Sequence, residues 1–91
     1  MLKLRKHNRF NREYKNALKQ KGNTEAQFLT VLNYLVNENP LPPKCKDHAL
    51  SNNWADFREC HIRPDWLLIY KVEKDILTLT LMRTGTHSDL F

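Results

Sequence analysis

The chain has 91 residues, of which 41% are hydrophobic and 27% charged, a balance that excludes a disordered protein and predicts one globular domain over residues 1–91. No stretch approaches the roughly 20 apolar residues that cross a bilayer, and no secretory leader is recognisable, so we expect a cytoplasmic protein without a membrane partner. The net charge of +5 is uneven, because residues 1–21 carry eight basic residues and one acidic residue, which leaves −2 on the others.

The amino-terminal part is predicted to contain a short strand and a basic helix. Leu2 and Leu4 alternate with basic residues, a pattern typical of a half-buried strand. Apolar residues then recur at helical spacing from about residue 8 to residue 21, and Gly22 is a natural helix stop. The basic residues attract polyanions such as a phosphate backbone, although a solvated helix that keeps the protein soluble explains them equally well.

A second helix and a long irregular segment follow. Thr24 and Gln27 have the spacing of a capping box. The helix that they open is predicted to end near residues 37–39, because Pro40 disfavours a helical residue before it. Residues 39–55 contain three prolines with several Asn and Asp residues, which predicts irregular structure. Segments of this length without regular structure are often functional.

The carboxyl-terminal half is predicted to be an antiparallel meander of three strands, at about 57–62, 66–72 and 76–82. The fold class is therefore α+β with the order β-α-α-β-β-β, in which two amino-terminal helices pack on one face of a small, mainly antiparallel sheet. The strand at 66–72 has large apolar residues that point to both faces of the sheet, so the second face should also be covered or concave.

Three histidines fall where a meander brings chain segments to one edge of its sheet. They are His48 in the long loop, His61 at a strand end and His87 near the carboxyl terminus, and Asp65 follows His61. RNA cleavage by its own 2′-hydroxyl needs a base for that proton and an acid for the departing 5′-oxygen. Histidine suits both tasks, because its ordinary pKa of about 6.5 keeps both forms available near neutral pH. A single histidine is more often structural, so the prediction depends on all three gathering.

Two cations and three aromatic rings complete the predicted site. Arg83 is expected to hold the extra negative charge of a phosphorane, and Lys46 is a second cation near the histidines. Trp66, Tyr70 and Phe91 offer ring faces on which unstacked bases can sit. For the first two of these rings, packing in the core is the more frequent use.

Arg83 conflicts with simple strand alternation. Strict alternation places it on the same side as Leu79 and Leu81, which is the side expected to pack against the helices. Its guanidinium can reach a cleft only if the last strand ends or bulges near Met82, and we predict such a break.

The two cysteines are expected to be free thiols. Cys45 and Cys60 do not form a CxxC motif, and the single disulfide that two cysteines allow is fewer than a small secreted protein usually has. By ligand type, the two cysteines with His48 and His61 are a conceivable zinc set, but their spacings match no common zinc module. No metal site is therefore predicted.

Three segments together resemble the YafQ branch of the RelE/ParE superfamily of bacterial toxins. They are KDHALSNNW at 46–54, FRECHIRPDWLLIYKV at 57–72 and RTGTHSDLF at 83–91. The combined DH, H-x-x-PDW and RTGTH-x-x-LF signature is far more specific than any of its parts. The resemblance covers the whole element order, and the two helices match in pattern rather than in motif.

The resemblance implies a RelE-like fold and a type II toxin that acts as a ribosome-dependent mRNA interferase. Such an enzyme cleaves mRNA in the ribosomal A site without a metal or another cofactor, and it leaves a 2′,3′-cyclic phosphate and a 5′-hydroxyl. The resemblance also implies three partners, which are a cognate antitoxin that wraps the toxin, the mRNA and ribosomal RNA.

The functional residues of the family carry over without a departure. In that assignment His87 is the general acid, or the base in the reverse arrangement, and His61 beside Asp65, or His48, makes the other proton transfer. The full set is His48, His61, Asp65, Trp66, Arg83, His87 and Phe91.

The remaining assignments concern binding. Arg83 would steady the scissile phosphate, with Lys46 as a further phosphate contact, and Phe91 and Trp66 would shape the nucleotide pocket. The basic amino-terminal region would dock on ribosomal RNA through Lys15, Lys19 and Lys21.

Two other classes of function are compatible with a small basic domain. A non-catalytic toxin or nucleic-acid-binding module, such as the ParE side of the superfamily that poisons DNA gyrase, has no chemical need for the histidine set. A small metal-dependent hydrolase is the other class, and it would lose its activity in EDTA.

Overall fold

The structure, a computed structural model, describes residues 1–91 and contains one five-stranded sheet with three α-helices. In chain order the elements are β1 (Lys3–Lys6), α1 (Asn8–Leu18), α2 (Glu25–Val36), β2 (His48–Ala49), β3 (Arg58–Arg63), β4 (Trp66–Glu73), β5 (Thr78–Gly85) and α3 (His87–Leu90). The strands lie in the order β1-β5-β4-β3-β2, with β1 parallel to β5 and all other neighbours antiparallel. None of the helices has the length and apolar character that a membrane span requires.

The predicted α+β order is confirmed, and four short elements are added to it. The β-α-α-β-β-β core is present, but the segment predicted to be irregular also contains β2 and two short 3₁₀-helices, at Pro43–Cys45 and Asn52–Trp54. The other added element is α3, in the last residues of the chain. The two residues of β2 are a strand only because they pair with β3, so no local sequence pattern marks them.

Both long helices begin where the sequence predicts, but α1 ends early. Thr24 and Gln27 form the predicted capping box of α2. Helix α1 ends at Leu18 instead of continuing to residue 21. The side-chain amide of Asn23 donates to the Ala17 carbonyl at 2.9 Å, which provides that carbonyl with a partner outside the helix.

The turn between α1 and α2 is joined to the β3–β4 turn by Arg63. The Arg63 guanidinium donates to the Asn23 side chain at 2.9 Å and to the Lys21 carbonyl at 3.3 Å. Gly22 has φ +89°, and a Cβ atom there would lie 2.5 Å from Nη1 of Arg63. Glycine therefore both allows this backbone conformation and leaves room for the guanidinium.

Helices α1 and α2 cover one face of the sheet, as predicted. Phe10 of α1 and Phe28 of α2 pack against a buried layer from the strands that includes Leu68, Tyr70 and Leu81. The two cysteines also lie in this helix-side core, and both are free thiols as expected.

The second face of the sheet is covered over part of its area. Leu67 and Ile69 of β4 are fully buried there against Leu90 of α3, together with Trp54 and Phe57 from the segment before β3. This cover explains why β4 has large apolar residues at both parities, and it confirms the predicted second packed face.

Strand β5 contains the predicted break. Tyr70 pairs with Leu81 but its neighbour Ile69 pairs with Arg83, so Met82 is left without a partner on β4. The extra residue is a bulge, which changes the side to which the following residues point. Met82 packs on the second face, against the cluster of Leu67, Ile69 and Leu90.

Candidate active site

A buried carboxylate lies between two of the three predicted histidines. Glu59 of β3 pairs with His48 of β2, and His61 lies two residues further along β3 on the same face. Nε2 of His48 and Nε2 of His61 lie 3.6 Å and 3.8 Å from the same Oε1 atom of Glu59. Glu59 is only 4% exposed, so two imidazoles converge on one carboxylate that is largely withdrawn from water.

Backbone carbonyls orient both imidazoles in the same way. Nδ1 of His48 lies 2.8 Å from the Lys46 carbonyl, and Nδ1 of His61 lies 3.1 Å from the Pro64 carbonyl. Because a carbonyl oxygen can only accept, each contact assigns the Nδ1 proton and leaves Nε2 as the atom that gains or loses a proton. When either Nε2 is protonated, the ring forms an ion pair with Glu59.

Asp47 holds the segment that positions His48. Its carboxylate accepts hydrogen bonds from the Tyr70 hydroxyl and from the Arg58 guanidinium, the latter at 3.1 Å and 3.3 Å. Burial raises the pKa of Tyr70, and the adjacent Asp47 carboxylate raises it further, so the hydroxyl stays protonated and donates. Tyr70 is therefore a core residue that anchors the loop, and its ring is not available to a base.

The third histidine is positioned by a short helix that is anchored at its amino end. The backbone N–H of His87 donates to Oδ1 of Asp65 at 3.2 Å. Thr86 and Asp89 form a capping box, with reciprocal hydrogen bonds of 3.0 Å and 3.1 Å. The ring of His87 lies against that of Phe91, with centroids 5.2 Å apart. Phe91 is 55% exposed, so its ring is accessible to a nucleobase.

The sheet registers place both the His48–Glu59–His61 group and α3 on the second face. His61 pairs with Leu67, which pairs with Gly85 at the start of the segment that leads into α3. Because paired residues point to the same side, His61 shares its face with Leu67, and Leu67 packs against Leu90 of α3. The structure thus brings His48 and His61 together around Glu59 and places α3, with His87, over the same face.

Trp66 requires a correction to its predicted role in the nucleotide pocket. Its ring is 1% exposed and packs in the helix-side core near Tyr14, with ring centroids 6.4 Å apart. The indole N–H donates to the Thr84 hydroxyl at 2.9 Å. A base cannot stack on this ring, so Trp66 supports the site from within the core.

The residues that are predicted to contact phosphates differ in exposure and in ion pairing. Arg83 is 8% exposed, and its Nε lies 3.2 Å from both carboxylate oxygens of Glu13 on α1. Its Nη1 donates no hydrogen bond within the chain. Lys46 is exposed, and its left-handed backbone conformation, φ 48°, presents the carbonyl that orients His48. The lysines that are predicted to dock on ribosomal RNA are exposed and form no ion pair within the chain; they are Lys15, Lys19 and Lys21.

Sequence reasoning missed two acidic residues that shape this site. Glu59 lies two residues before His61 on a strand, so alternation already places the two on one side, and that spacing was the available signal. Glu13 is the only acidic residue among residues 1–21, and no local pattern connects it with Arg83, seventy residues away.

The conceivable zinc set is split by the sheet. Cys45 and Cys60 lie in the helix-side core, whereas His48 and His61 point to the other face, so the four cannot share one ion. Burial raises the pKa of the Cys60 thiol, which disfavours the thiolate that zinc requires. No group of three or more His, Cys, Asp or Glu residues in the chain has the arrangement of a metal site.

Comparison with known proteins decides the family. A sequence profile described as the bacterial toxin of type II toxin–antitoxin systems, YafQ, matches residues 2–91. The chain belongs to the YafQ toxin family. An mRNA interferase toxin YafQ from Escherichia coli BL21-DE3 is 40% identical over 84 residues, which cover 90% of this chain and 87% of that protein.

Solved structures of YafQ-type toxins have the same fold. A metal-bound toxin from Helicobacter pylori is 42% identical, with a TM-score of 0.91 over 100% of both chains. In the E. coli DinJ–YafQ complex, the matching chain is 34% identical with a TM-score of 0.88, covering 100% of this chain and 99% of that one. These matches confirm the predicted RelE-like α+β fold.

Acid should release α3 from its fixed position. Hydrogen bonds from the Thr86 backbone and side chain lower the pKa of Asp89 below its ordinary 3.8. The capping interaction is therefore complete above about pH 4 and is lost as the pH falls through the lower folded-state value. We expect the His87 amide resonance to move toward its random-coil position over that range in an NMR titration.

The Asp89→Asn variant provides the control for this titration, because its side chain cannot ionise. It should lack this part of the acid transition. The same acid profile for His87 in both proteins would contradict the role of Asp89.

Proposed function

We propose that this YafQ-family chain is a cytoplasmic toxin that cleaves mRNA in the ribosomal A site, with a 2′,3′-cyclic phosphate as product. The observation that carries the proposal is the convergence of two histidine Nε2 atoms on Glu59, on the sheet face against which α3, the helix that begins with His87, packs through Leu90. The name of the E. coli relative, an mRNA interferase toxin, supports the substrate class.

The proposed chemistry is proton transfer by imidazoles. His61 or His48 removes the 2′-hydroxyl proton through Nε2, and Glu59 then balances the charge of the imidazolium. His87 protonates the departing 5′-oxygen, and the reverse assignment of acid and base uses the same atoms. Each positioned proton-transfer group contributes roughly 10²–10⁴-fold to a rate. Because imidazoles perform both transfers, the proposed reaction does not need a metal ion.

Asp65 has a positioning function in this proposal. Its carboxylate accepts from the backbone of His87 rather than from the imidazole of His61, whose Nδ1 is already occupied by the Pro64 carbonyl. Asp65 therefore fixes the start of α3, and with it the place of the general acid.

Substrate binding uses the groups around the histidines. Phe91 stacks on a nucleobase, and Lys46 is available to a neighbouring phosphate. Arg83 stabilises the phosphorane through Nη1, or after exchange of its ion pair with Glu13 for the scissile phosphate. The Glu13 carboxylate holds the guanidinium in place while the site is empty.

The proposed protein partner is a cognate antitoxin. The E. coli toxin of similar structure has been solved as a DinJ–YafQ complex, and the present chain shares its fold over its whole length. We propose that the antitoxin of this chain wraps it and blocks the histidine face or its access to the ribosome.

Replacement of His87 by Ala should abolish cleavage and leave the fold and antitoxin binding intact. The α3 anchor uses the backbone N–H of residue 87, and alanine retains that group. Induced expression followed by primer extension on cellular transcripts should show codon-phased cuts with the wild type only.

Lys74→Ala is the control variant, because Lys74 lies in an exposed ion pair with Glu38. This variant should cut like the wild type. Normal cutting by His87→Ala would show that the assignment of the acid is wrong.

Replacement of Glu59 by Gln should reduce the cleavage rate by about 10²-fold or more, because the variant cannot balance an imidazolium at His48 or His61. The pH–rate profile should change as well, which a purely structural defect would not produce.

Glu38→Gln makes the same chemical change in an exposed ion pair and should have a normal rate and profile. A normal pH–rate profile for Glu59→Gln would contradict the proposed role of the buried carboxylate.

Loss of the three docking lysines should weaken binding to ribosomes and flatten its salt dependence. Each phosphate contact contributes about 0.7–0.9 to the slope of log K against log salt, so Lys15, Lys19 and Lys21 together contribute about 2–3. Filter binding at several salt concentrations measures this slope for the triple Gln variant. An unchanged slope would remove ribosomal RNA docking from these residues.

A further inference from the structure

Part of the second sheet face lies outside the apolar cover, which α3 and the segment before β3 form. Thr78 and Thr80 of β5 point to this face, because they alternate with Leu79 and Leu81, which are fully buried on the helix side. Their partners on β1, Lys3 and Arg5, are exposed, so this part of the face is open to solvent. The strand partners of these two threonines therefore identify the other side chains of the open part.

Basic residues flank both threonines. Thr80 pairs with Arg5 of β1 on one side and with Lys71 of β4 on the other. Thr78 pairs with Lys3 and Glu73 in the next row. Residues paired across strands point to the same face, so Lys3, Arg5 and Lys71 form a strip across three strands, called here the basic strip.

The charges of the basic strip are free to bind a ligand. Lys3 and Arg5 are exposed, and none of the three residues takes part in an ion pair within the chain. Lys71 is half-buried because its ammonium group lies over the Phe57 ring, 5.6 Å from the centroid. Glu73 is the only acidic residue in the two rows, so the rows together carry a net positive charge.

An unsatisfied hydroxyl lies in the middle of the strip. Oγ1 of Thr80 is buried and has no hydrogen-bond partner in the chain. Thr80 lies between its strand partners Arg5 and Lys71. Buried polar groups are usually paired, so this hydroxyl has an unused hydrogen-bonding capacity at the centre of the strip.

The strip lies near the histidine site on the same sheet face. Lys71 lies two residues from Ile69 along β4, about 7 Å, and Ile69 pairs with Glu59, which in turn pairs with His48. Ile69 itself is fully buried beneath the apolar cover, and the Lys71 ammonium lies over the Phe57 ring of that cover. A polyanionic chain at the histidines therefore has to cross Phe57 to reach Lys71, and then Arg5 and Lys3.

We propose that the basic strip binds the phosphates of single-stranded RNA that extends from the histidine site, and so forms the substrate track on the toxin itself. The inference rests on the proposed cleavage function and adds where the strand lies. It is distinct from ribosomal RNA docking, because the docking lysines belong to α1 and the turn after it, whereas the strip lies on the opposite face of the sheet. Charge complementarity and the position of the strip near the histidines, on the same sheet face, favour RNA as the occupant.

The test is binding of a single-stranded 2′-O-methyl RNA oligonucleotide, which lacks the nucleophile and cannot be cleaved. Fluorescence anisotropy over a range of salt concentrations compares wild type with the double variant Arg5→Gln/Lys71→Gln. Each lost contact to a single strand lowers the salt slope by about 0.7, so the slope should fall by about 1.4. Relative to 1 M salt, this corresponds to binding that is about 25-fold weaker at 0.1 M.

The double variant Lys44→Gln/Lys74→Gln is the matched control, because it removes the same charge outside the strip. It should bind the oligonucleotide with the wild-type slope, and thermal unfolding should confirm that all three proteins are folded. Equal affinity and slope for the strip variant and the wild type, or no binding by the wild type, would overturn the proposal. Binding as expected, together with no cleavage of mRNA on translating ribosomes, would instead overturn the proposed function and leave the track in place.

Discussion

The arrangement of the site depends on one hydrogen bond, from the backbone N–H of His87 to the Asp65 carboxylate. Helix α3 has four residues, and a helix of that length is not stable in isolation. Its position is determined by this anchor, by its capping box and by the burial of Leu90. Arg63 fixes the turn that contains Asp65 by binding the α1–α2 turn, so the position of His87 is linked to the helical layer of the fold.

Sheet register determines the rest of the site. Pairing of His48 with Glu59 and alternation along β3 place two imidazoles at one carboxylate, and the backbone carbonyls then select the same tautomer for both rings. The same registers place Arg5 and Lys71 beside Thr80 on this face. The proposed chemistry and the proposed substrate binding therefore both follow from one pairing pattern, with α1 and α2 on the opposite face.

Periodic and capping signals made much of the fold predictable, because they are local. The capping box at Thr24 and the three long strands follow from such patterns, and the bulge at Met82 follows from the conflict that Arg83 creates. Elements that exist only through tertiary contacts were not predictable. They include β2 and the pairing of Arg83 with Glu13. Core packing was already the more frequent expectation for Trp66, and the resemblance to the family was what assigned it to the nucleotide pocket.

The central claim is that the histidines of the second sheet face surround one phosphate of the substrate. A crystal structure of the toxin with a 2′-O-methyl RNA oligonucleotide tests it most directly. The account predicts one phosphate within about 3 Å of a ring nitrogen of His87 and of Nε2 of His61 or His48, with the Phe91 ring on an adjacent base. An oligonucleotide that binds along α1, with no phosphate near Glu59, would contradict it.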